Sequence, residues 1–120
     1  MSGPQPTLSL DAFREQARQL QRNRIAAREN YQAHTAEEAQ ADHDYRVALA
    51  ASFAKSKAQD LTAAQAEIQA GADAAPHKLK RDLARAKAKA SLLRVEELEA
   101  DKAVLRSIAD WSRAIDGGLG

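Results

Sequence analysis

The part of the chain that decides the fold reads LKRDLARAKAKASLLRVEELEADKAVLRSIADWSRAI (residues 79–115). Small and apolar side chains recur in it every three or four residues, which places them on one stripe of an α-helix. The pattern therefore predicts a long amphipathic helix that needs a partner helix to cover its stripe. This second seam consists of Leu79, Leu83, Ala86, Ala90, Leu93, Glu97, Ala100, Val104, Ile108, Trp111 and Ile115.

A first seam with the same spacing lies in the N-terminal half of the chain. Two such stripes within 120 residues predict an all-α fold, a long antiparallel helical hairpin that is coiled-coil-like. The first seam consists of Phe13, Ala17, Leu20, Arg24, Ala27, Tyr31, His34, Glu38, Ala41, Tyr45, Ala48 and Ser52.

Capping residues and helix breakers divide this hairpin domain, which we expect to cover residues 9–115. Ser9 can cap the first helix, and Thr62 with Gln65 has the form of a capping box that starts a short intervening helix. Gly71 ends this short helix, and Pro76 begins the last one. The predicted helices cover about 9–57, 61–72 and 76–115, between a flexible lead at 1–8 and a flexible tail at 116–120.

Charged blocks favour antiparallel pairing of the two long helices. Arg24 and Arg28 would approach the acidic stretch that contains Glu99, and exposed pairs of this kind set register more than they stabilise. In the other block, Glu37, Glu38, Asp42 and Asp44 would approach Arg85, Lys87, Lys89 and Arg94.

A thin hairpin leaves part of each helix uncovered. Aromatic residues make up only 4% of the chain, so few side chains could fill a thick core, and we expect self-association, with a dimer that forms a four-helix bundle. For Trp111, packing against Phe13 and Leu20 is the expected role, and an exposed partner-binding patch is the alternative. The candidate interface residues are Phe13, Leu20, Tyr31, Tyr45, Leu105, Ile108, Trp111 and Ile115.

A basic cluster is the candidate nucleic-acid site. A hairpin would bring its members to one end, where they could bind phosphates, but no aromatic side chain interleaves them for base stacking. The other reading is a solvated basic face that the first helix partly neutralises. This basic tip consists of Lys55, Lys57, Lys78, Lys80, Arg81, Arg85, Lys87 and Lys89.

The residue inventory gives little basis for catalysis or metal binding. No phosphate-binding loop or nucleophile motif occurs, and a thin hairpin should lack a substrate cleft, so we expect no enzyme and no cofactor. His34, Glu38 and Asp42 share a helix face, but the facing seam offers only Glu97 as a further ligand, so we interpret them as polar residues that fix register.

Charge and composition also bear on location. The net charge is +1, so no global field draws the protein to DNA or to an anionic membrane. The chain has no cysteine, no run long enough to span a membrane and no signal-peptide pattern at Met1 to Pro6. We therefore expect a cytoplasmic protein without membrane association.

Residues 44–113 also show a family resemblance. They combine the entry Asp-Tyr-Arg-Val-Ala-Leu-Ala (44–50), a polar break at 55–60, an alanine-rich basic helix at 79–90 and a closing Leu-Arg-Ser-Ile (105–108). This stretch resembles small all-helical proteins encoded by tailed bacteriophages, especially those of actinobacterial hosts. Such relatives often have a glycine at the break, where this chain has Gln59-Asp60.

The resemblance implies a function without catalytic residues. Members are often encoded among recombination and replication genes, so it implies an accessory or adaptor protein that binds other proteins in the cytoplasm of a bacterial host. Two alternatives remain open at this point: a nucleic-acid-binding protein that uses the basic tip, and an inhibitor of a host defence or nuclease.

Overall fold

Two long helices make up the fold. The computed structural model describes residues 9–119, in which α1 covers Leu10–Ala58 and α2 covers Ala63–Leu119. The helices pack antiparallel as a hairpin, and no strand occurs in this part of the chain, which confirms the predicted fold class. The predicted lead at 1–8 and the last residue of the predicted tail lie outside the described residues.

Each helix begins at the cap that the sequence predicts. The hydroxyl of Ser9 accepts a hydrogen bond from the amide of Ala12 (3.1 Å). At the start of α2, the amide of Thr62 donates to Oε1 of Gln65 (3.0 Å), and the amide of Gln65 donates to the Thr62 hydroxyl (3.2 Å). This reciprocal pair is a capping box, which satisfies two amides that the first turn of a helix leaves without partners.

The turn between the helices depends on a left-handed residue. Asp60 has φ of 55°, and the amides of Leu61 and Asp60 donate to the carbonyls of Ser56 (3.2 Å) and Lys57 (3.2 Å). These two bonds form a Schellman motif, in which the left-handed position is usually glycine and asparagine or aspartate is tolerated.

The predicted break at 71–76 is wrong. Residues 61 and 62 belong to the turn, and α2 continues without interruption from Ala63 through Gly71 and Pro76. The predicted short helix is therefore not separate but forms the first turns of α2. Packing accounts for this continuity, because Ala70 and Ala74 are each only 1% exposed and hold this stretch against α1. Tertiary contacts of this kind routinely override weak local helix formers. The helix also continues into the predicted tail, as far as Leu119.

The contacts divide into two compact units, here called the terminal unit and the turn unit. The terminal unit combines the described residues up to Glu29 with those from Leu93 onward, and the turn unit is Asn30–Leu92. Within the described helices, no segment is long and apolar enough to cross a lipid bilayer.

Replacing the two helix breakers should stabilise α2. A methyl group added at Gly71 meets no atom within 4 Å, so Gly71→Ala should raise the free energy of unfolding by roughly 0.5–1 kcal/mol through lower backbone entropy in the unfolded chain. Pro76→Ala restores a helical amide donor and should add up to about 3 kcal/mol. Urea denaturation monitored by circular dichroism measures both, and a loss of stability in either variant would contradict continuous helix at 71–76.

Candidate interaction surface

The seam of α2 that faces α1 is not the one that the sequence predicts. In the turn unit its buried residues are Ala70, Ala74, Ala84 and Ala88, which we call the alanine seam. In the terminal unit Leu98 is buried, and Val95, Leu105 and Ala109 are half-buried. Together with the half-buried Arg81 and Ser91, these residues fall on one heptad pattern, half a turn away from the predicted one.

The predicted second seam of α2 is exposed at every one of its positions. Leu79 is 61% exposed in the turn unit, and Leu93 and Trp111 are 57% and 67% exposed in the terminal unit. The expected packing of Trp111 against Phe13 and Leu20 is therefore wrong. We call the central part of this face the outward stripe; it consists of Leu79, Leu83, Ala86, Ala90, Leu93, Glu97, Ala100 and Val104.

The first seam, on α1, is confirmed at every position except Ala17, which is exposed. Its buried or half-buried members include the large side chains of Arg24, Tyr31 and Tyr45. Two helices that both carry large residues at a seam cannot approach closely, whereas alanine on one side leaves room for large side chains from the other. In the turn unit the fully buried residues are small on both helices: Ala41, Ser52 and Ser56 on α1 and the alanine seam on α2.

Polar residues in these seams pair across the helices. In the terminal unit, Arg24 is buried and donates from Nε (3.0 Å) and Nη2 (2.8 Å) to Oε1 of Glu99, which also receives a bond from Arg28 (2.8 Å). These bonds, together with the two positive charges, hold the pKa of Glu99 below its ordinary value, against the opposing effect of burial. In the turn unit, His34 pairs with Ser91.

Two buried serines lie near the turn. Ser52 donates to Oδ2 of Asp73 (2.8 Å), and this bond, with a second from Gln69 and the nearby charge of Lys55, holds the pKa of Asp73 below its ordinary value. Ser56 is 1% exposed, and its hydroxyl has no hydrogen-bond partner. A buried hydroxyl without a partner destabilises the fold, so Ser56 contributes small size rather than polarity.

The basic tip does not form one free cluster. Arg85 pairs with Glu38 (3.1 Å) and Lys87 with Glu37 (3.5 Å), as the predicted charge blocks require. Arg81 lies 4.5 Å from the ring centre of Tyr45. Lys78, Lys80 and Lys89 have no salt-bridge partner among the described residues, and at 1.5 Å per residue Lys78 lies about 20 Å along α2 from its start. The prediction that these residues gather with Lys55 and Lys57 at the end of the hairpin is therefore wrong.

The acidic and histidine residues considered as metal ligands have other partners. Glu38 pairs with Arg85, and Asp42 pairs with Arg46 (2.9 Å) and lies 3.9 Å from Arg81. Among residues 9–119, no group of three or more histidine, cysteine, aspartate or glutamate side chains could hold a metal ion.

Open apolar grooves are present in the terminal unit, whereas the sequence predicted no cleft of this size. The larger, with a volume of about 620 Å³, is here called the terminal groove; it lies among Leu10, Phe13, Ile108, Trp111 and Ile115. A second, of about 300 Å³, contains the half-buried Phe13, Leu20 and Leu105. Of the remaining candidate interface residues, Tyr31 and Tyr45 lie half-buried in the seam of α1.

The two buried serines form a matched pair for mutagenesis. Ser56→Ala removes a hydroxyl that has no partner and should raise the free energy of unfolding by about 1 kcal/mol. Ser52→Ala removes the donor to Asp73 and should lower it. Urea denaturation of the two variants measures the difference, and equal effects would contradict the hydrogen-bonding described for this pair.

The two lowered carboxylate pKa values predict acid sensitivity. In the folded chain, the pKa values of Asp73 and Glu99 lie below their ordinary values of 3.8 and 4.5. Their contribution to stability is therefore present above these values and is lost as the pH falls through the lowered pKa values of the folded state. Urea midpoints measured from about pH 6 to about pH 2 should fall. The fall should be smaller in Ser52→Ala, and an unchanged slope in that variant would contradict the assignment to Asp73.

Comparisons with known proteins give no match for this chain. No protein-family model matches it, and searches of curated proteins and of solved structures return no significant similarity.

Proposed function

We propose that this chain is a non-catalytic accessory or adaptor protein that acts by binding another protein through the terminal groove. The observation that carries the proposal is the exposure of Leu10 and Trp111, at 63% and 67%, around an apolar groove of about 620 Å³. A monomeric soluble protein rarely leaves large apolar side chains grouped on its surface unless they form an interaction site.

The groove suits an amphipathic helix of the partner. Its walls come from two antiparallel helices, α1 at Leu10 and Phe13 and α2 at Ile108, Trp111 and Ile115. A partner helix can insert apolar side chains at three- and four-residue spacing into a groove of this kind. Trp111 is the expected energetic centre, since tryptophan is enriched among residues that dominate binding energy.

A binding role accords with the chemistry of the lining. The residues around the terminal groove include no histidine and no cysteine, and its charged members are Arg113, which pairs with Asp110 (2.6 Å), and Asp116. The remaining polar member is Ser112, and the other lining residues are apolar, so the groove mainly offers apolar contact. The phage resemblance adds the proposed setting, an accessory role in recombination or replication within the bacterial cytoplasm.

Nucleic-acid binding by the basic tip has weaker support. Arg81, Arg85 and Lys87 are already paired with carboxylates, so phosphate contacts would have to replace these pairs. Binding to labelled DNA over a salt series tests this alternative. We expect no steep loss of affinity with salt, whereas a strong salt dependence that Lys80→Glu reduces would favour the nucleic-acid function.

A capture experiment tests the proposed protein-binding function. The full-length chain, used as bait in lysate of phage-infected host cells, should retain a partner, and Trp111→Lys should abolish its retention. Ile25→Lys is the matched control, because Ile25 is an exposed apolar residue of α1 outside the groove (49%). Capture that is absent, or equal for all three baits, would contradict the proposal. Mass spectrometry of the retained protein also shows whether it is a host nuclease or defence protein.

A further inference from the structure

The outward stripe is an apolar surface separate from the terminal groove, and the dimer that we derive for it does not depend on the proposed function. Leu79 and Leu83 are 61% and 57% exposed in the turn unit, and Leu93 and Val104 are each 57% exposed in the terminal unit. Each lies on the side of α2 opposite the residues that contact α1. A helix with two opposed apolar faces is expected to be buried on both.

The charges beside the outward stripe indicate which molecule covers it. Lys80 and Lys89 flank the half of the stripe in the turn unit, and Glu96 and Asp101 flank the half in the terminal unit. None of these four side chains has a salt-bridge partner among the described residues. A surface that is basic at one end and acidic at the other is complementary to a copy of itself in antiparallel orientation.

We infer that the outward stripes of two copies of this chain pair antiparallel and form a two-fold symmetric dimer. In the register that this charge pattern selects, Leu79 of one copy packs beside Val104 of the second, Leu83 beside Ala100, Ala86 beside Glu97, and Ala90 beside Leu93. In three of these four pairs an alanine faces a larger side chain, which allows close helix packing.

The same register brings opposite charges together at the rim of the interface. Lys80 meets Asp101 of the second copy, and Lys89 meets Glu96 of the second copy, and symmetry forms each pair twice. Lys87 and Arg94 share one flank, but each is already neutralised within its own chain, by Glu37 (3.5 Å) and Glu97 (3.0 Å). Such rim pairs fix register and orientation more than they add affinity.

Cross-linking tests both the dimer and its orientation. The chain has no cysteine, so introduced thiols are unique. Leu79→Cys mixed with Val104→Cys should give covalent dimers with a short bis-maleimide reagent, and each variant alone should give almost none. Like positions in this antiparallel register are separated by about 35 Å along the helix axis, beyond the reach of the reagent. Cross-links within either variant alone would indicate parallel pairing and overturn the inference.

Charge reversal tests the register. Lys80→Glu should weaken the dimer roughly tenfold, as measured by sedimentation equilibrium, and adding Asp101→Lys should restore it to within about threefold. The two positions are about 30 Å apart on one helix, so their coupling requires a second copy. Lys78→Glu, outside the proposed pairs, is the control. Rescue that fails, or a wild-type chain that remains a 13.0 kDa monomer at high concentration, overturns the inference.

The two proposals can fail separately. Trp111→Lys, which should abolish partner capture, lies outside the outward stripe and should leave the dimer intact. If the chain is monomeric but captures its partner through Trp111, the dimer is wrong and the proposed function stands. If the chain is a dimer but captures no partner, the proposed function is wrong and the dimer stands.

Discussion

Close packing of small side chains on one face of α2 is the constraint on which the rest of the structure depends. Ala74 and Ala84, at 1% and 2% exposure, allow the backbone of α2 to approach α1 closely. Alanine loses no side-chain entropy on burial and is the best helix former, so a seam of alanines stabilises both the helix and its packing. In the turn unit, the large apolar residues Leu79 and Leu83 lie outside this seam and are exposed on the opposite face of α2.

Polar pairs in the seam supply the specificity that small apolar residues lack. A run of alanines could slip by one heptad at little cost, whereas a slip would leave the buried Arg24 without Glu99. Removing one partner of a buried charge pair is strongly destabilising even when the pair itself adds little. The contact of His34 with Ser91 and the pair of Glu38 with Arg85 play the same part in the turn unit.

The sequence predicts local features and the first seam correctly. The caps at Ser9 and Thr62 depend on short-range hydrogen bonds, and the charge blocks depend on antiparallel order, so both can be inferred without knowing the packing. The sequence predicts the second seam on the wrong face, because α2 carries two stripes with similar spacing and the stripe with the larger apolar residues is the expected one to be buried. The spacing within α2 alone does not decide between them, because both stripes follow three- and four-residue steps. Packing against α1 keeps Gly71 and Pro76 inside a helix.

The turn at Asp60 has a consequence for how the chain folds. Two local hydrogen-bond motifs meet there, so the two helices can reverse direction before any distant contact forms. The Ser52–Asp73 bond closes a loop of 21 residues, and the Arg24–Glu99 bond spans 75. The entropy lost on closing a loop grows with its length. We therefore expect α1 and α2 to pair first beside the turn and last at their far ends. During synthesis, α1 leaves the ribosome before α2 is complete, so its first seam stays exposed until α2 can pack against it.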